Sequence, residues 1–473
     1  KEYEQIPFGF ARADVGQAYP HYAGAARSGF RLSTDHELPA GASSQLLVEI
    51  TTASGESELH RVAVKLETRD IQTIPLDQST CLGPPKTMLM LDASEIEMRF
   101  RRSLGKRPGL TLRLDIINKC NLRCVMCHFS DDAIFKRPTR QFTGEQFREL
   151  FDEIGPTVGQ VMLSCGDEPL ISKFLPEILR YLAREHPHVS IEFCTNAMLM
   201  SASVRELIME TQVARLLFSI DAVSKPLLES IRVGCRFDQL VGNIIALRDL
   251  KMQRGSAAPA FVFNFVMMNR NIHEAAAFVS MAKALGAEAI DFRHVVPIAT
   301  YFQPEELLSA HPGKYNYYRE KIVSETSRLE MQYYLPPPFS DASPWKPTHD
   351  LPVDWSDFER LAAQSPAGLN ATVPEGPRAR SGFSWEGTVA EEFSTTFCNR
   401  PFSEIMVRDQ EEVLPCPWHE KTLGRLSEGK SLSEIFMGET FVRLRRNMLK
   451  SEGDPGCAHC PIKSGHLPID ANV

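Results

Sequence analysis

Apolar residues follow two alternating patterns between residues 110 and 296. Short apolar runs predict strands, and between them apolar residues recur every three or four positions, which predicts amphipathic helices. Thr143 with Gln146, and Ser203 with Glu206, have the spacing of a capping box at a helix start. The predicted strands are 112–117, 158–164, 190–195, 216–221, 260–267 and 289–295, and the predicted helices are 145–154, 174–185, 203–211, 240–251 and 273–285. Such alternation predicts an α/β fold with a parallel sheet and crossover helices.

The rest of the chain has a different pattern. Residues 1–75 contain strand-like runs between segments rich in Gly, Pro, Ser and Ala, which predicts a small β-sandwich-like module. Residues 76–109 are expected to be a connector. Residues 297–396 look irregular apart from an amphipathic helix near 314–330, and they either cover the sheet or connect domains. Residues 397–473 form a separate region with its own cysteines.

Composition excludes several classes of function. The chain has 473 residues, of which 43% are hydrophobic and 24% charged, and its formal net charge is −8. The acidic balance argues against nucleic acid as a partner. No stretch of about 18 apolar residues is present, so we expect no membrane span. The 11 cysteines are grouped at cluster-like spacings in a long chain, which predicts reduced thiols and a cytoplasmic location.

Three cysteines follow the first predicted strand, namely Cys120, Cys124 and Cys127. Thiolates this close in sequence can converge on one metal centre, and soft sulfur ligands favour an iron–sulfur cluster over magnesium or calcium. A cluster of four irons needs four ligands, so three cysteines leave one iron open to a ligand that is not protein. The alternatives are a zinc knuckle, whose paired spacing fits less well, and three unrelated buried cysteines.

This C-x3-C-x2-C spacing resembles the signature of the radical SAM superfamily. The resemblance implies a partial (β/α)6 barrel whose catalytic loops lie at the carboxyl ends of the strands. It also implies a [4Fe-4S] cluster that binds S-adenosyl-L-methionine (SAM) and cleaves it reductively, with an external electron donor of the flavodoxin or ferredoxin type. Met126 stands where the superfamily usually has an aromatic residue, and its backbone is expected to line the adenine site.

A second segment resembles the Gly-Gly-Glu-Pro element of the same superfamily. It consists of Gly166, Asp167, Glu168 and Pro169, and it follows the second predicted strand. An exposed backbone edge and a carboxylate at this place would accept hydrogen bonds from the ammonium group of SAM. A plain strand-to-helix turn is the alternative.

The next two strands end in further candidate contacts. Asn196, in a segment similar to Thr-Asn-Gly, is expected either to hydrogen-bond SAM or to shape the turn. The stretch from Ser219 to Gly234 resembles a Ser-Ile-Asp-Gly…Arg-x-Gly pattern. By that resemblance Ser219 would approach the ribose or carboxylate of SAM, Arg232 would pair with the carboxylate, and Asp221 would reach cofactor or substrate. For Arg232 the alternative is a helix-end charge in solvent.

Four more cysteines lie near the carboxyl end, at positions Cys398, Cys416, Cys457 and Cys460. Four thiolates satisfy every iron of a second [4Fe-4S] cluster, and the same set suits a structural zinc ion. The segment resembles the SPASM/twitch domain of radical SAM enzymes in its shorter form. That resemblance implies a fully ligated auxiliary [4Fe-4S] cluster.

Two residues remain as candidate catalytic groups. Cys235 could return a hydrogen atom to a substrate radical, as an epimerase requires, or it could be a bystander thiol. His294 ends the sixth predicted strand and could hold a substrate hydroxyl or act as a base.

The sequence as a whole favours an enzyme that oxidises an alcohol, such as a sugar or aminocyclitol, with the auxiliary cluster as electron acceptor. The substrate is expected to be a small molecule or a peptide. The alternatives are a radical epimerase of a sugar or peptide, a maturase of ribosomal peptides, and a metal-binding interaction protein without catalytic activity.

Overall fold

The computed structural model describes four strands before residue 110 and most of the chain after it. The described part after residue 109 comprises residues 110–296, 303–340, 342–349, 351–366, 400–449, 454–458 and 460. The chain divides into two compact units, Lys1–Gly83 and Pro84–Val473. This division falls inside the segment 76–109 that the sequence predicts to be a connector.

The first unit contains two antiparallel strand pairs. Strand β1 (Phe8–Phe10) pairs with β2 (Gly29–Phe30). Strand β3 (Ser43–Thr51) pairs with β4 (Ser57–Lys65) over nine residues each. The β pattern predicted for this region is therefore present, while the other residues of the predicted sandwich lie outside the described part of the chain.

The second unit is built on one mostly parallel sheet. Its strand order is β11-β10-β9-β8-β7-β6-β5-β12-β13-β14. The six central strands are all parallel and follow the chain order, which confirms the predicted α/β partial barrel. These strands are β5 (Leu110–Leu114), β6 (Val158–Met162), β7 (Ser190–Thr195), β8 (Arg215–Ser219), β9 (Ala260–Met267) and β10 (Ala289–His294).

Helices cover one face of this sheet. Their apolar sides pack on an aromatic layer in which the rings of Phe218 and Phe263, and of Phe265 and Phe278, are in contact. The described helices are α1 (Asp132–Phe135), α2 (Gly144–Ile154), α3 (Leu175–Glu185), α4 (Ala202–Glu210), α5 (Lys225–Ile231), α6 (Phe237–Gln253), α7 (Ala275–Ala284), α8 (Pro312–Arg328), α9 (Ser356–Ala362), α10 (Arg400–Ser403), α11 (Leu432–Phe436) and α12 (Glu439–Leu449).

The two predicted capping boxes have different outcomes. Thr143 and Gln146 form the predicted box at the start of α2, with both reciprocal hydrogen bonds present. The box predicted at Ser203 is wrong, because Ser201 is the N-cap of α4 and its hydroxyl accepts from the Val204 amide. The helix therefore begins one residue before Ser203, whose hydroxyl lies 2.9 Å from that of Ser201.

The sheet also extends beyond the six predicted strands on both sides. Strand β11 (Gln332–Tyr334) pairs in parallel with β10, inside the segment predicted to be irregular. Strand β12 (Glu404–Arg408) pairs in parallel with β5, and β13 (Glu412–Leu414) and β14 (Gly424–Arg425) follow it. The sequence does not predict these pairings because each short strand is stabilised by a distant neighbour.

A buried ion pair fastens β12 to β5. Arg113 Nε lies 2.6 Å from Glu404 Oε1, and both side chains are almost fully buried. Arg400 Nη1 lies 2.9 Å from the other carboxylate oxygen of Glu404. The carboxyl-terminal cysteine region is therefore attached to the strand that carries the first cysteine loop.

Candidate active site

The first cysteine loop is held in place by the segment that follows α5. The Arg123 amide donates to the Val233 carbonyl at 2.8 Å, and the Val125 amide donates to the Ile231 carbonyl at 2.9 Å. Gly234 continues this segment with a φ of 93°, which an L-residue adopts only with strain. Backbone hydrogen bonds from a segment more than 100 residues away in the chain thus fix the loop.

N–H groups lie near the thiol groups of this loop. Cys120 Sγ lies 3.4 Å from the Leu122 amide and 3.8 Å from Asn196 Nδ2. Cys124 Sγ lies 3.9 Å from Arg232 Nη1. Hydrogen bonds to sulfur stabilise thiolate charge and tune iron–sulfur clusters. The donors around this loop therefore fit three cysteines that act as cluster ligands.

Burial makes these thiols weak acids. It raises the pKa of Cys124 to about 12, although the nearby Arg232 guanidinium lowers it. Burial likewise raises the pKa of Cys120 and Cys127, and the charges of the other two cysteines raise the pKa of Cys120 further. Cluster ligands bind as thiolates, so assembly of a cluster here must release protons. Within the described ranges no three His, Cys, Asp or Glu side chains are placed so that they could hold one metal ion. The fit to a cluster therefore rests on the three thiol groups and on the N–H groups near them.

Arg232 is buried beside this loop. Its Nη2 lies 2.7 Å from Asp221 Oδ2, and the two side chains are 7% and 0% exposed. This excludes the alternative of a solvent-exposed charge at a helix end. Arg232 Nε is buried and has no hydrogen-bond partner within the described residues. A free donor next to Cys124 fits an anionic group of a bound cofactor, such as the carboxylate of SAM.

Glu168 joins the turns after β6 and β7. Its Oε1 accepts from the Thr195 hydroxyl at 2.8 Å, and its Oε2 accepts from the Asn196 amide at 2.8 Å. Its own amide donates to the Lys119 carbonyl beside the cysteine loop at 2.9 Å. Burial raises the pKa of Glu168 to about 7. Both carboxylate oxygens therefore accept hydrogen bonds from other residues of the protein. The predicted contact of SAM with this segment, which includes Gly166 and Pro169, stays a prediction.

Asp167 occupies the position of a glycine in the related element. Burial raises its pKa to about 9, the neighbouring Asp115 carboxylate adds to the rise, and Arg137 opposes it. Arg137 Nη2 lies 3.4 Å from Asp167 Oδ1. Asp167 is thus a largely buried carboxylate at the end of β6.

Asp115 is a site residue that the sequence analysis does not single out. Its Oδ1 accepts from the amides of Cys165 and Gly166 at 2.6 and 3.3 Å. Burial raises its pKa to about 6. The signal in the sequence is a lone carboxylate inside the apolar run 112–117, where burial without hydrogen bonds would be costly.

The other predicted cofactor contacts lie around the same loop. Asn196 Nδ2 donates to Asn121 Oδ1 at 2.9 Å, and Asn196 Oδ1 accepts from the Met198 amide at 3.0 Å. Asn196 therefore shapes the turn, as one of the two predicted roles requires. Met126 is half-buried and packs against the apolar cluster of Ile231, Met268 and Val295. Ser219 lies at the end of β8, and its predicted approach to SAM stays a prediction.

The two candidate catalytic residues lie in different surroundings. Cys235 is buried, its Sγ lies 3.8 Å from Met198 Sδ, and burial raises its pKa to about 11. His294 is buried at the end of β10, where its ring centroid lies 4.6 Å from that of Tyr315 and 5.5 Å from that of Phe339. The catalytic roles of Cys235 and His294 stay predictions.

The second cysteine region is bridged by His419. His419 Nε2 lies 3.1 Å from Asp454 Oδ1, and its amide donates to the Cys416 carbonyl at 3.4 Å. The Cys460 amide donates to the Cys457 carbonyl at 3.3 Å. The structure therefore brings the segments of Cys416 and of the Cys457–Cys460 pair together, whereas Cys398 lies outside the described residues.

Comparisons with known proteins agree with this architecture. Residues 114–282 match the radical SAM superfamily. The AdoMet-dependent heme synthase of Methanosarcina barkeri (strain Fusaro / DSM 804) is 26% identical over 192 residues, which is 40% of this chain and 52% of that protein. The GTP 3',8-cyclase of Clostridium botulinum (strain Okra / Type B1) is 23% identical over 208 residues, 42% of this chain and 63% of that protein. The chain thus spans less than two thirds of the length of these relatives.

A solved structure shares the fold. The crystal structure of Streptococcus suis SuiB bound to precursor peptide SuiA aligns with a TM-score of 0.50 at 12% identity, over 85% of this chain and 84% of that one. No helix in the described part of the chain is long and apolar enough to cross a membrane. Radical SAM proteins use SAM and a [4Fe-4S] cluster, which confirms the predicted cofactors of the barrel. Residues 114–282, which include the three-cysteine loop after the first strand of the barrel, therefore form a radical SAM domain.

Proposed function

We propose that this radical SAM enzyme is an oxidoreductase that converts an alcohol group of its substrate into a carbonyl group. When bound, the cluster at Cys120, Cys124 and Cys127 and its SAM supply the radical that removes one hydrogen atom from the substrate. That hydrogen atom comes from the hydroxyl-bearing carbon, and loss of one electron from the resulting carbon radical and of the proton from its hydroxyl group gives the carbonyl. An auxiliary [4Fe-4S] cluster in the second cysteine region would accept the electron.

The observation that carries this proposal is the joining of the second cysteine region to the barrel. The segments of Cys416 and of the Cys457–Cys460 pair are connected through His419, and β12 attaches their region to β5. A cluster with four cysteine ligands has no open iron and cannot bind substrate directly. Electron acceptance is the chemistry that such a group supplies, and oxidation of the substrate is the reaction that needs it.

The residues of the barrel position the cofactor and exclude water in this proposal. The Asp221 carboxylate holds the Arg232 guanidinium, whose buried Nε would donate to an anionic group of the cofactor. Glu168 connects the turn of Asn196 to the loop of Cys120 by hydrogen bonds. The hard chemical step belongs to the cofactor, and the protein supplies orientation.

The test uses the whole chain, reconstituted anaerobically with iron and sulfide and reduced with dithionite or flavodoxin. Wild type should contain about eight iron atoms per chain and should form 5'-deoxyadenosine from SAM. A Cys120, Cys124 and Cys127 triple alanine variant should lose half of the iron and all 5'-deoxyadenosine. Cys416→Ala should also lose half of the iron but should still cleave SAM. SAM cleavage by the triple variant would refute the assignment of the first site.

The substrate arm uses alcohols deuterated at the hydroxyl-bearing carbon. Deuterium should appear in 5'-deoxyadenosine with wild type and with Cys416→Ala, but only wild type should release the carbonyl product. Equal product from both would refute the role of the second cysteine region. If deuterium were transferred from a deuterated peptide and not from the alcohols, the substrate class would be a peptide, the class of molecule bound to SuiB in its crystal structure.

Cys235→Ala separates oxidation from epimerisation. Its thiol packs against Met198, so under the proposal the variant should form the carbonyl product at the wild-type yield. Epimerisation predicts that the variant accumulates substrate that has lost a hydrogen atom without gaining one. That outcome would make Cys235 the hydrogen donor and would overturn the oxidation.

A further inference from the structure

A row of polar side chains crosses four neighbouring strands of the barrel. Ser219, Asn264, Asp291 and Tyr334 are register partners on β8, β9, β10 and β11. Two residues earlier on the same strands lie Leu217, Val262 and Ala289, which belong to one buried apolar cluster. Because residues i and i+2 line one face of a strand, the polar row lies above this apolar floor, on the face opposite the helices and towards the carboxyl ends.

Two oxygen atoms in this row are buried and unused. Asn264 Oδ1 and Asp291 Oδ1 have no hydrogen-bond partner among the residues that the structure describes. The other polar atoms of both side chains are occupied, since Asn264 Nδ2 lies 3.9 Å from Cys194 Sγ and Asp291 Oδ2 accepts from Arg293 Nε at 2.8 Å. An unsatisfied buried acceptor costs stability, and two of them on adjacent strands favour a ligand that supplies the donors.

The charges of the row restrict the chemistry of that ligand. Arg293 forms an ion pair with Asp291, so the carboxylate has a counterion already. Asn264 is neutral. The two acceptors stand on neighbouring strands, which lie about 4.8 Å apart, a spacing that two hydroxyl groups of one ring can span. We propose that Asn264 and Asp291 form a polyol subsite that accepts a hydrogen bond from each of two hydroxyl groups of the substrate; this rests on the proposed function and names its substrate class.

The subsite lies next to the cysteine loop through a short series of contacts. Asn264 Nδ2 contacts Cys194 near the end of β7, and Asn196, the residue just after that strand, contacts Cys120 Sγ. The ribose of SAM also carries two neighbouring hydroxyl groups and is the other source of such donors. The substrate is favoured because Asp291 lies on β10, five strands away from β5 in the sheet.

The test measures binding to the reconstituted full chain with SAM present. The probes are tritiated myo-inositol and methyl α-D-glucoside, with cyclohexanol as the probe that has a single hydroxyl group. Equilibrium dialysis should show saturable binding of at least one polyol and none of cyclohexanol. Asn264→Leu should weaken that binding at least tenfold and leave the affinity for SAM unchanged. Gln332→Leu, at an exposed position of β11, is the control and should bind like wild type.

Each outcome decides between the sources. No saturable binding of either polyol to wild type would overturn the subsite. Weaker SAM binding by Asn264→Leu with unchanged polyol binding would assign the oxygens to the ribose and overturn the substrate assignment. The unfolding midpoint of Asn264→Leu should equal or exceed that of wild type, because the lost oxygen has no partner. If this variant fails to fold, Asn264→Ala, which removes the same oxygen without adding volume, replaces it with the same expected loss of polyol binding.

Formation of 5'-deoxyadenosine in the same preparations separates the two proposals. Polyol binding without SAM cleavage would contradict the proposed function and support the subsite. SAM cleavage without polyol binding would contradict the subsite alone.

Discussion

The ion pair between Asp221 and Arg232 yields a prediction whose size follows from its burial. The pair is 2.7 Å long, and its side chains are 0% and 7% exposed. Asp221→Asn keeps the shape of the side chain and an oxygen that can accept from the Val266 amide, which donates to Asp221 Oδ1 at 2.8 Å in the wild type. The variant leaves the Arg232 charge buried without a counterion, so it should destabilise the barrel by about 3–5 kcal/mol.

The assay is urea denaturation followed by circular dichroism, with iron per chain measured after reconstitution. Arg232 Nη1 lies 3.9 Å from Cys124 Sγ, and the segment after Arg232 holds the cysteine loop, so Asp221→Asn should also lower the iron content. Glu210→Gln is the matched control, because the Glu210–Arg180 pair is 54% exposed on both sides. An exposed pair contributes less than about 1 kcal/mol, and the control should retain its iron.

A double variant distinguishes charge from packing. Asp221→Leu combined with Arg232→Met removes both charges and should recover most of the stability that Asp221→Asn loses, since a buried pair is often replaceable by apolar residues. The double variant should nevertheless bind SAM more weakly than wild type, because it lacks the Arg232 Nε donor. A cost below about 1 kcal/mol for Asp221→Asn with unchanged iron would refute the reasoning, because an isolated buried charge is expected to cost several times more.

Three further changes test other parts of the molecule. Gly234→Ala should destabilise the chain by about 1–2 kcal/mol because its φ is 93°, whereas Gly242→Ala inside α6 should be neutral or stabilising; equal unfolding midpoints would contradict this. Burial raises the pKa of Glu168 from 4.5 to about 7, so the folded chain holds a proton that the unfolded chain releases. The resulting stability is complete below pH 4.5 and is lost as the pH rises through 7, and Glu168→Gln should flatten this fall by up to about 3 kcal/mol; parallel profiles in urea denaturation would argue against the shift. Asp454→Ala removes the partner of His419 and should lower iron by up to half while 5'-deoxyadenosine formation persists; full iron content would show that this contact does not support the second site.

Local patterns predicted the features that depend on neighbours in the chain. The alternation of strands and helices and the capping box at Thr143 need only periodicity and a few adjacent side chains. The first cysteine loop is equally local. At α4, however, two serines lie near the helix start, and the spacing to Glu206 favours Ser203 although Ser201 is the cap. The choice depends on where the preceding turn leaves the backbone, which a spacing rule does not contain.

Contacts between residues far apart in the chain could not be predicted from the sequence, for a physical reason. Glu168 accepts from residues 195 and 196, and Arg232 meets a thiol 108 residues earlier in the chain. Such partners are chosen by the folded sheet, because a buried charge takes whichever group the strand order places beside it. The unused oxygens of Asn264 and Asp291 show the same limit. Their residue types are visible in the sequence, but their lack of partners is a property of the tertiary structure.

The parallel pairing of β5 with β12 has a consequence for biosynthesis. Arg113 and Glu404 are 291 positions apart, and at about 5–20 residues per second a ribosome needs roughly 15–60 s to add the intervening chain. During that interval the nascent barrel exposes an open strand edge and an arginine whose counterion has not been made. Chaperones that shield such edges are therefore expected to bind the emerging polypeptide until Glu404 leaves the exit tunnel.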